Sequence, residues 1–426
     1  MQLIINNKIY TDNSLEANEN TVFVVSKQNE RFKESAIENG CKEIVKAADL
    51  KEHLDMSSIK VIGITGTNGK TTTAAAIYSI LLDLGYKVAL QGTRGFFIND
   101  ERVEDYSLTT PVQLGNFAHI QKAMDNGCDF FVMEVSSHAI EQKRIEGIEF
   151  DLKIHTNITR DHLDYHKTIE EYINVKNSFL SDETKKLINK DDKNVKCNVK
   201  NAFAYSLEDP STYKVQAYSF KNGMHVMFAH FDKIHSFSSS MMGIFNVYNL
   251  MAAVSAVHIT TNKPLDEICE AVEGFAGVSG RMETVSTNPL VIVDFAHTPD
   301  GMREVLQSFN EKDIICVFGA GGDRDQDKRP LMGSVAASYS KHIIVTSDNP
   351  RFEDPDLIIE DIVKGIKNHQ SVKVDVNRKT AIKTAIDMAD ENSVVLVLGK
   401  GDESTQTIYD KKFPFSDKEE ILKICK

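Results

Sequence analysis

The chain has 426 residues, of which 41% are hydrophobic and 26% charged, an ordinary globular composition that excludes a fibrous or disordered protein. At about 100–200 residues per domain, this length predicts two to four domains, each with its own core. The net charge of −13 argues against nucleic acid as a partner, because proteins that bind the phosphate backbone usually carry a basic excess. An acidic protein can still bind phosphate through backbone N–H groups and a few lysines.

The N-terminal sequence MQLIINNKIY has no basic segment followed by a long apolar stretch, and the sequence has no run of about 18 apolar residues. We therefore expect no signal peptide, no membrane association and a cytoplasmic location. Six dispersed cysteines without a CxxC pair predict reduced thiols, and neither a disulfide framework nor a cysteine-bound metal.

The first part of the chain predicts a small α/β domain that ends in a linker. It mixes a strand-like run over 21–25 with a helical stretch near 33–48, and the linker is expected at 55–58. From Lys60, short apolar runs alternate with helical segments, which predicts a mostly parallel sheet covered by helices. The strand candidates are rich in apolar and β-branched residues: VIGITG, KVALQG, DFFVMEVS and FDLKIHTN. Residues 181–240 are more polar and predict hairpins or an inserted sheet edge.

A second alternating series begins near Gly280 and predicts another α/β domain. Its strand candidates are LVIVDFA, DIICVFGA, HIIVTSD, VKVDV and SVVLVLGK. The segmentation therefore predicts three domains, over residues 1–58, 59–280 and 281–426.

The strongest motif is the segment GITGTNGKTTT, which lies between a predicted strand and a predicted helix. Gly66 and Gly69 allow a tight turn in which several N–H groups face one anion. Lys70 can reach the β- and γ-phosphates, and the Thr71 hydroxyl can bind Mg²⁺. The strict phosphate-loop pattern requires glycine where Ile64 stands, but the strand before the motif and the helix after it supply the expected context.

Several motifs in order resemble the Mur ligases: GITGTNGKTT, EVSSHAIEQKR, NITRDHLDYH, GRME and DFAHTPDG. The segments GAGGDRDQDKRPLM and SDNPRFEDP resemble the branch of that family that adds meso-2,6-diaminopimelate. The resemblance covers the chain from Lys60 onward. It implies a small N-terminal α/β uridine-binding domain, a central P-loop ATPase domain with a mostly parallel sheet, and a C-terminal Rossmann-like domain.

The resemblance also implies an activity. It predicts a monomeric ligase that uses ATP and Mg²⁺ to join meso-diaminopimelate to the D-glutamate of UDP-N-acetylmuramoyl-L-alanyl-D-glutamate, through an acyl phosphate. This reaction belongs to peptidoglycan precursor synthesis, and so to cell wall biogenesis, cell shape and cell division.

Site residues carry over by position. The resemblance assigns ATP binding to Gly66, Thr67, Asn68, Gly69, Lys70, Thr71, Thr72, Asn246, Asn249, Arg281 and Asp294. It assigns metal binding to Thr71, Glu134, His162 and Lys176, the last as a carbamate, and catalysis to Lys70, Glu134, His162 and Lys176. Glu134 lies at the end of the predicted buried strand DFFVMEVS, and the carboxyl ends of strands are where α/β sheets bind ligands. Without the resemblance, Lys176 is an ordinary lysine on an amphipathic helix.

The two substrates are assigned in the same way. UDP-muramoyl-dipeptide binding falls on Ser14, Thr109, Thr110, Ser136, Gln142 and Arg144. Diaminopimelate binding falls on Arg324, Asp348, Asn349, Arg351, Gly399 and Glu403. Arg351 suits the second carboxylate of diaminopimelate, which lysine lacks. The chain departs from the family at Leu15, where an arginine is usual, and at Asp402, where a histidine is common.

Three other functions are compatible with parts of this pattern. The same ligase could use L-lysine, and a folylpolyglutamate synthetase shares the GTNGKT-type loop, although the extra N-terminal domain and the DNPR motif argue against it. A nucleotide-dependent switch or binding protein could use the phosphate loop alone.

Overall fold

The computed structural model describes residues 2–99, 101–105, 108–221 and 223–425. The chain forms two compact units. The first unit comprises Met1–Ile158, Glu170–Ser239 and Val247–Phe275, and the second comprises Thr159–Ile169, Ser240–Asn246 and Ala276–Lys426. The three domains and their boundaries stay a prediction.

A four-stranded sheet opens the first unit, in the order β1-β2-β3-β4. Its strands are β1 (Gln2–Ile5), β2 (Lys8–Thr11), β3 (Thr21–Val25) and β4 (Glu43–Lys46), with helix α1 (Lys33–Glu38) and 3-10 turns at Glu30–Phe32 and Ala47–Glu52. The predicted helix over 33–48 is therefore wrong beyond residue 38. Gly40 turns the chain with φ +93°, and residues 43–46 then pair in parallel with β3. This pairing is a long-range interaction that helix periodicity does not reveal.

An eleven-stranded mixed sheet forms the core of the first unit, in the order β15-β14-β13-β12-β11-β10-β5-β9-β6-β7-β8. Its strands are β5 (Lys60–Thr65), β6 (Val88–Gly92), β7 (Gly95–Ile98), β8 (Glu101–Glu104), β9 (Phe130–Glu134), β10 (Leu152–His155), β11 (Lys186–Asn189), β12 (Ala202–Ser206), β13 (Tyr213–Ser219), β14 (Met224–His230) and β15 (Lys233–Ser239). The run from β13 to β6 is parallel, and the strands at both edges are antiparallel. The hairpins predicted for residues 181–240 are confirmed as β13, β14 and β15.

Helices cover this sheet because its central strands are apolar on both faces. The helices that lie wholly or mainly in the first unit are α2 (Lys70–Asp83), α3 (Gln113–Asp125), α4 (Ser137–Glu141), α6 (Ile169–Ser178), α7 (Ile244–Thr261) and α8 (Leu265–Val272). Helix α5 (Leu163–His166) belongs to the second unit. By length and composition alone, α7 could cross a membrane, but 72% of it is buried within the protein, as in a core helix.

The second unit contains a six-stranded sheet in the order β16-β17-β21-β18-β19-β20, parallel except for the edge strand β16. Its strands are β16 (Glu283–Thr287), β17 (Leu290–Asp294), β18 (Asp313–Phe318), β19 (His342–Thr346), β20 (Val372–Asp375) and β21 (Ser393–Leu398), and a separate hairpin consists of β22 (Thr405–Ile408) and β23 (Lys411–Pro414). The five strands predicted for this region are confirmed as β17 to β21.

Besides α5, the helices of the second unit are α9 (Pro299–Gln307), α10 (Lys328–Tyr339), α11 (Pro355–Val363), α12 (Arg378–Met388) and α13 (Asp417–Ile424). Side chains at their amino ends stabilise several of them; Thr298 accepts the Gly301 N–H at 3.1 Å, and Asn377 accepts the Thr380 N–H at 3.2 Å. The parallel strands of each unit end at one edge of its sheet, so the loops that carry the predicted site residues gather there.

Candidate functional site

The predicted phosphate loop lies between β5 and α2, at the carboxyl end of a central strand. Thr67 donates its backbone N–H to the Asn157 carbonyl at 2.7 Å, and Asn68 donates its own to the Asn157 side-chain oxygen at 2.9 Å. The first N–H groups of any α-helix have no acceptor within the helix, and its amino end carries partial positive charge. The loop is therefore anchored beside β10 and presents a helix terminus suited to phosphate.

Two glycines in this loop stand where a larger residue would not fit. A Cβ atom on Gly66 would lie 1.8 Å from Thr156 Oγ1. Gly69 has φ +83°, and a Cβ atom there would lie 2.3 Å from Asn249 Oδ1. Asn249, on α7, also accepts from the Thr73 hydroxyl at 3.4 Å. The predicted residue Asn249 therefore contacts the phosphate loop directly.

Lys70 and Thr71 begin α2 and place two polar groups at the loop. The Lys70 ammonium donates to the carbonyl of Gly66 at 2.8 Å and to that of Thr67 at 2.9 Å. The Thr71 hydroxyl donates to Glu134 Oε2 at 3.0 Å. The structure thus brings the carboxylate of Glu134 to the hydroxyl of Thr71, which lies sixty-three positions earlier in the sequence.

Glu134 ends β9 and is held from several sides, with only 2% of its surface exposed. Thr93 donates its backbone N–H to Oε1 at 3.0 Å and its hydroxyl to Oε2 at 3.3 Å. Gly92 leaves the space that this carboxylate occupies, because a Cβ atom there would lie 2.1 Å from Oε1. The end of the neighbouring strand β6 therefore fixes the position of Glu134.

We expect Gly92→Ala to reduce turnover by about 100-fold, because an added methyl group must displace the Glu134 carboxylate and a displacement of about 1 Å in an active site has effects of that size. Steady-state turnover and the melting temperature would be measured on the same preparation. A fully active variant would show that the position of Glu134 is unimportant to the reaction.

Lys176 lies on α6 with 1% of its surface exposed. It is therefore not an ordinary lysine on the solvent-facing side of an amphipathic helix. Its Nζ donates to the Gly66 carbonyl at 2.8 Å and stands 5.0 Å from the centre of the Tyr172 ring. The Tyr172 hydroxyl in turn lies 3.0 Å from Thr67 Oγ1. Lys176 is therefore buried against the phosphate loop.

The residues predicted to bind the UDP-muramoyl-dipeptide form one network, apart from Ser14. Arg144 donates to the Thr110 carbonyl at 2.9 Å and to Gln142 Oε1 at 2.6 Å. Ser136 donates its N–H to Thr110 Oγ1 at 3.0 Å, and the Thr109 hydroxyl lies 3.0 Å from that of Thr93. Because Thr93 also contacts Glu134, this network continues to the phosphate loop.

Ser14 lies in the N-terminal part of the same unit. It is buried, and its carbonyl accepts from the Asn39 side chain at 2.8 Å. Leu15, which follows it, is 83% exposed.

The second unit has a pocket where β18, β19 and β21 end. All six residues predicted to bind diaminopimelate line it, together with the predicted metal ligand His162: Arg324, Asp348, Asn349, Arg351, Gly399 and Glu403. Gly399 has φ +112°, and a Cβ atom there would lie 2.6 Å from Asp348 Oδ2. Three strand ends that are far apart in sequence therefore build one pocket.

Both signs of charge line this pocket. Burial and the nearby charge of Arg324 lower the pKa of Arg351, whereas Asp348 and Glu403 raise it. Two guanidinium groups close enough to repel each other form a site that favours an anion. The carboxylates of Asp348 and Glu403 favour a cation, so the pocket suits a zwitterion such as an amino acid.

The conformation of Arg351 is fixed by its neighbours. Its φ is +52°, its N–H donates to the Thr407 carbonyl at 3.1 Å, and its own carbonyl accepts the Tyr409 N–H at 2.6 Å. Its guanidinium donates to the Gly322 carbonyl at 2.7 Å. The β22–β23 hairpin thus holds the arginine in place at the pocket.

Arg281 and Asp294 lie close together in the second unit. Asp294 accepts backbone N–H groups from Met282 and Ala296, each at 2.7 Å. Burial raises the pKa of Asp294, and the charge of Arg281 opposes that shift. Arg281 stands over the Phe295 ring with its Cζ 4.1 Å from the ring centre.

His162 and Asn246 complete the predicted set. His162 adopts a left-handed conformation with φ +54°, and its Nε2 lies 3.4 Å from Asp161 Oδ2. Asn246, at the start of α7, donates to the Met242 carbonyl at 2.8 Å. Within the part of the chain that the structure describes, no three His, Cys, Asp or Glu side chains gather as a metal site.

Sequence reasoning missed several residues that hold the site together. Gly92 and Thr93 position Glu134, and Asn157 anchors the loop. Tyr172 contacts Thr67, one helical turn before Lys176. A signal existed for Thr93 and Asn157, because Thr93 directly follows the predicted strand KVALQG and Asn157 is the last residue of the predicted strand FDLKIHTN.

Comparison with known proteins gives a family match for residues in each of the two units. The family model of the Mur ligase middle domain matches residues 64–257, and that of the Mur ligase glutamate ligase domain matches residues 280–401. The first match begins in β5, immediately before the phosphate loop. The second includes five of the six residues predicted to bind diaminopimelate and ends just before the sixth, Glu403.

Relatives match over nearly the whole chain. The UDP-N-acetylmuramoyl-L-alanyl-D-glutamate–2,6-diaminopimelate ligase of Wolinella succinogenes is 54% identical over 412 residues, covering 97% of this chain and 95% of that protein. A solved structure of a UDP-N-acetylmuramoyl-L-alanyl-D-glutamate–2,6-diaminopimelate ligase matches with a TM-score of 0.68 at 28% identity, covering 98% and 94% of the two chains.

The folylpolyglutamate synthase of Mycobacterium tuberculosis, complexed with ADP and AMPPCP, also has a TM-score of 0.68, covering 83% of this chain and 91% of its own. Its identity of 16% shows a shared fold alone. The two family models and the relative from Wolinella succinogenes go further, and they show that this chain belongs to the Mur ligase family.

Proposed function

We propose that this protein is an ATP-dependent ligase that adds meso-2,6-diaminopimelate to the D-glutamate of UDP-N-acetylmuramoyl-L-alanyl-D-glutamate, in peptidoglycan precursor synthesis. The observation that carries the proposal is the pocket in which Arg324 and Arg351 stand beside Asp348 and Glu403. The name of the relative that is 54% identical supports the same substrates. The proposal includes a cytoplasmic, monomeric enzyme with domains at 1–58, 59–280 and 281–426.

The first step activates a carboxylate, which by itself is a poor electrophile. Transfer of the γ-phosphoryl group from ATP to the carboxylate of the dipeptide gives an acyl phosphate and ADP. This chain contributes positioning and charge, the two effects on which phosphoryl transfer mainly depends. Lys70 and the amino end of α2 bind the phosphates, while Asn246, Asn249, Arg281 and Asp294 contact the rest of the nucleotide.

The residues beside the loop suit Mg²⁺. The Thr71 hydroxyl oxygen and Glu134 Oε2 lie 3.0 Å apart, and both are oxygen ligands of the kind that Mg²⁺ prefers. We assign metal binding to these two residues, to His162 and to Lys176 as its carbamate. When bound, Mg²⁺ would neutralise negative charge on the phosphoryl group.

The second step forms the amide bond. The amino group of diaminopimelate attacks the acyl carbon, and the intermediate loses phosphate and a proton to give the amide. Thr109, Thr110, Ser136, Gln142 and Arg144 hold the UDP-linked substrate through hydroxyls and one guanidinium, with Ser14 on its uridine side. Arg144 is held by Gln142 and Thr110, which orients its guanidinium for an anionic group.

The pocket lined by Arg324, Arg351, Asp348 and Glu403 determines which amino acid is added. Arg351 and Arg324 bind the distal carboxylate of diaminopimelate, and Asp348, Asn349 and Glu403 bind its distal ammonium group, over the space that Gly399 leaves. L-Lysine carries no distal carboxylate and would leave the two arginines without their anion, which disfavours it. A nucleotide switch would have no use for an amino-acid pocket of this kind.

We expect Arg351→Ala to raise the KM for diaminopimelate by about 10- to 150-fold, which corresponds to losing a charged hydrogen-bonding group worth about 1.5–3 kcal/mol. The KM values for ATP and the UDP-substrate should stay within about twofold. The matched control is Arg303→Ala, since Arg303 pairs with Asp300 on α9 and does not line the pocket. An equal rise in all three KM values would assign Arg351 a structural role.

Ligand protection tests the proposed function against its rivals. Thermal unfolding is followed with ATP and Mg²⁺ plus either UDP-N-acetylmuramoyl-L-alanyl-D-glutamate or a folate, because a ligand that binds only the folded state raises the melting temperature. We expect protection by the UDP-linked substrate alone. Protection by the folate alone would overturn the proposal, and protection by neither would favour the nucleotide switch.

A further inference from the structure

We propose that Lys400, to which no role has been assigned, is a positioning residue that fixes Asn349 and Glu403 for recognition of the substrate ammonium group. The inference rests on the proposed function, because it concerns the same amino-acid pocket. Lys400 follows β21 directly, between the pocket residues Gly399 and Glu403. It does not line the pocket itself.

The Lys400 side chain is buried, with 0% of its surface exposed, and its ammonium group is fully used. Nζ donates to Glu403 Oε2 at 2.7 Å, to the Thr405 carbonyl at 2.8 Å and to Asn349 Oδ1 at 3.2 Å. An ammonium group has three N–H donors, so these three acceptors satisfy it completely. A buried charge persists only with such partners.

These contacts determine which way the Asn349 amide faces. Its Oδ1 accepts from Lys400 and from the Thr407 backbone N–H, the latter at 2.8 Å, while its Nδ2 donates to Glu403 Oε2 at 2.8 Å. Rotation of the amide by 180° would turn Nδ2 toward two donors and Oδ1 toward a carboxylate. Lys400 and Thr407 therefore hold one orientation of Asn349.

The same contacts leave one oxygen of Glu403 for the substrate. Oε2 accepts from both Lys400 and Asn349, whereas Oε1 has no hydrogen bond to any described residue. The Glu403 side chain is 37% exposed and lines the pocket. Lys400 thus sets the side-chain conformation in which Glu403 Oε1 can accept an N–H from the distal ammonium group of the amino acid.

Removal of the Lys400 charge should allow the side chains of Asn349 and Glu403 to adopt other conformations. Glu403 would lose its buried counter-charge and, being partly exposed, could turn toward water. Asn349 would lose one of the two donors that define its orientation. Neither change touches the phosphate loop in the first unit, so the effect should fall on the amino acid and not on ATP.

The test compares Lys400→Met, which keeps an unbranched apolar stem, with Lys400→Gln, which keeps one hydrogen-bond donor without charge. We expect each variant to raise the KM for diaminopimelate at least about 10-fold, the size of one lost hydrogen bond to a charged group. The KM for ATP should change little, and the melting temperature shows whether each variant is folded. Lys383→Met is the matched control, because Lys383 forms an exposed ion pair with Asp387 on α12.

A double substitution separates positioning from general stability. If Lys400 acts through Glu403, then Lys400→Met combined with Glu403→Gln should raise the KM little more than Glu403→Gln does alone. An additive loss would overturn the proposal. So would an unchanged KM for diaminopimelate in a folded Lys400→Met or Lys400→Gln protein, or a parallel rise in the KM for ATP.

Wild-type turnover distinguishes failure of this inference from failure of the proposed function. If the wild-type protein turns over diaminopimelate and the Lys400 variants match it, only the role of Lys400 is wrong. If the wild-type protein does not turn over diaminopimelate, the proposed function is wrong, and the inference fails with it.

Discussion

Replacement of Lys70 by alanine is expected to lower ATP-dependent turnover by about 10²- to 10³-fold, the usual effect of removing one charge-stabilising donor from an active site. The Lys70 ammonium lies over the phosphate loop, 2.8 Å from the Gly66 carbonyl and 2.9 Å from that of Thr67, where bound phosphates would replace these weak acceptors. Phosphate release under saturating substrates is the measurement.

The fold should survive this substitution, because the Gly66 carbonyl keeps the Lys176 ammonium as a donor at 2.8 Å. Lys70 itself is only half-buried, so water can take the place of its ammonium group. Lys200→Ala is the control, since Lys200 is an exposed lysine paired with Glu183 at 2.7 Å. Unchanged phosphate release by a folded Lys70→Ala protein would contradict the assignment of residues 66–72 to ATP.

Replacement of Lys176 by alanine should lower turnover by more than about 100-fold, because the metal-binding carbamate that we propose for it and its contact to the loop would both be lost. As a carbamate, the Lys176 side chain would keep one N–H for the Gly66 carbonyl and add a carboxylate for the metal. Short carboxylates such as acetate or formate should then restore part of the activity of Lys176→Ala.

The rescue distinguishes a carbamate from a simple buried lysine. Lys70→Ala is the matched control, because a carboxylate cannot replace a cation that binds phosphate. Full activity of Lys176→Ala would exclude a role in the reaction. Rescue of both variants, or rescue by ammonium-bearing compounds instead, would show that Lys176 acts as an amine.

The sequence was sufficient where local pattern and structure agree. The strand before the phosphate loop and the helix after it are β5 and α2, although Ile64 breaks the strict pattern. The structure explains why this break is harmless. Ile64 is fully buried in β5, and the turn is made by Gly66 and Gly69, so the pattern's first glycine is not needed for the turn here.

The sequence was insufficient where the fold depends on distant pairing. Residues 43–46 have a pattern that fits a helix, but their partner is β3, and only the formed sheet makes them a strand. Glu134 was predicted, while Gly92 was not, because its role is the space that it leaves for a carboxylate forty-two positions away. The role of Lys400 could not be predicted for the same reason, since its partners Asn349 and Glu403 come together only in the folded pocket.

The most direct test of the central claim is the choice of amino acid by the purified protein. It would be incubated with ATP, Mg²⁺ and UDP-N-acetylmuramoyl-L-alanyl-D-glutamate, together with either meso-diaminopimelate or L-lysine, while phosphate release and product mass are followed. Turnover with diaminopimelate alone, giving the UDP-linked tripeptide, is the predicted result. Turnover with lysine alone would contradict the assignment of Arg351 and Arg324, and no turnover with either amino acid would contradict the proposed function as a whole.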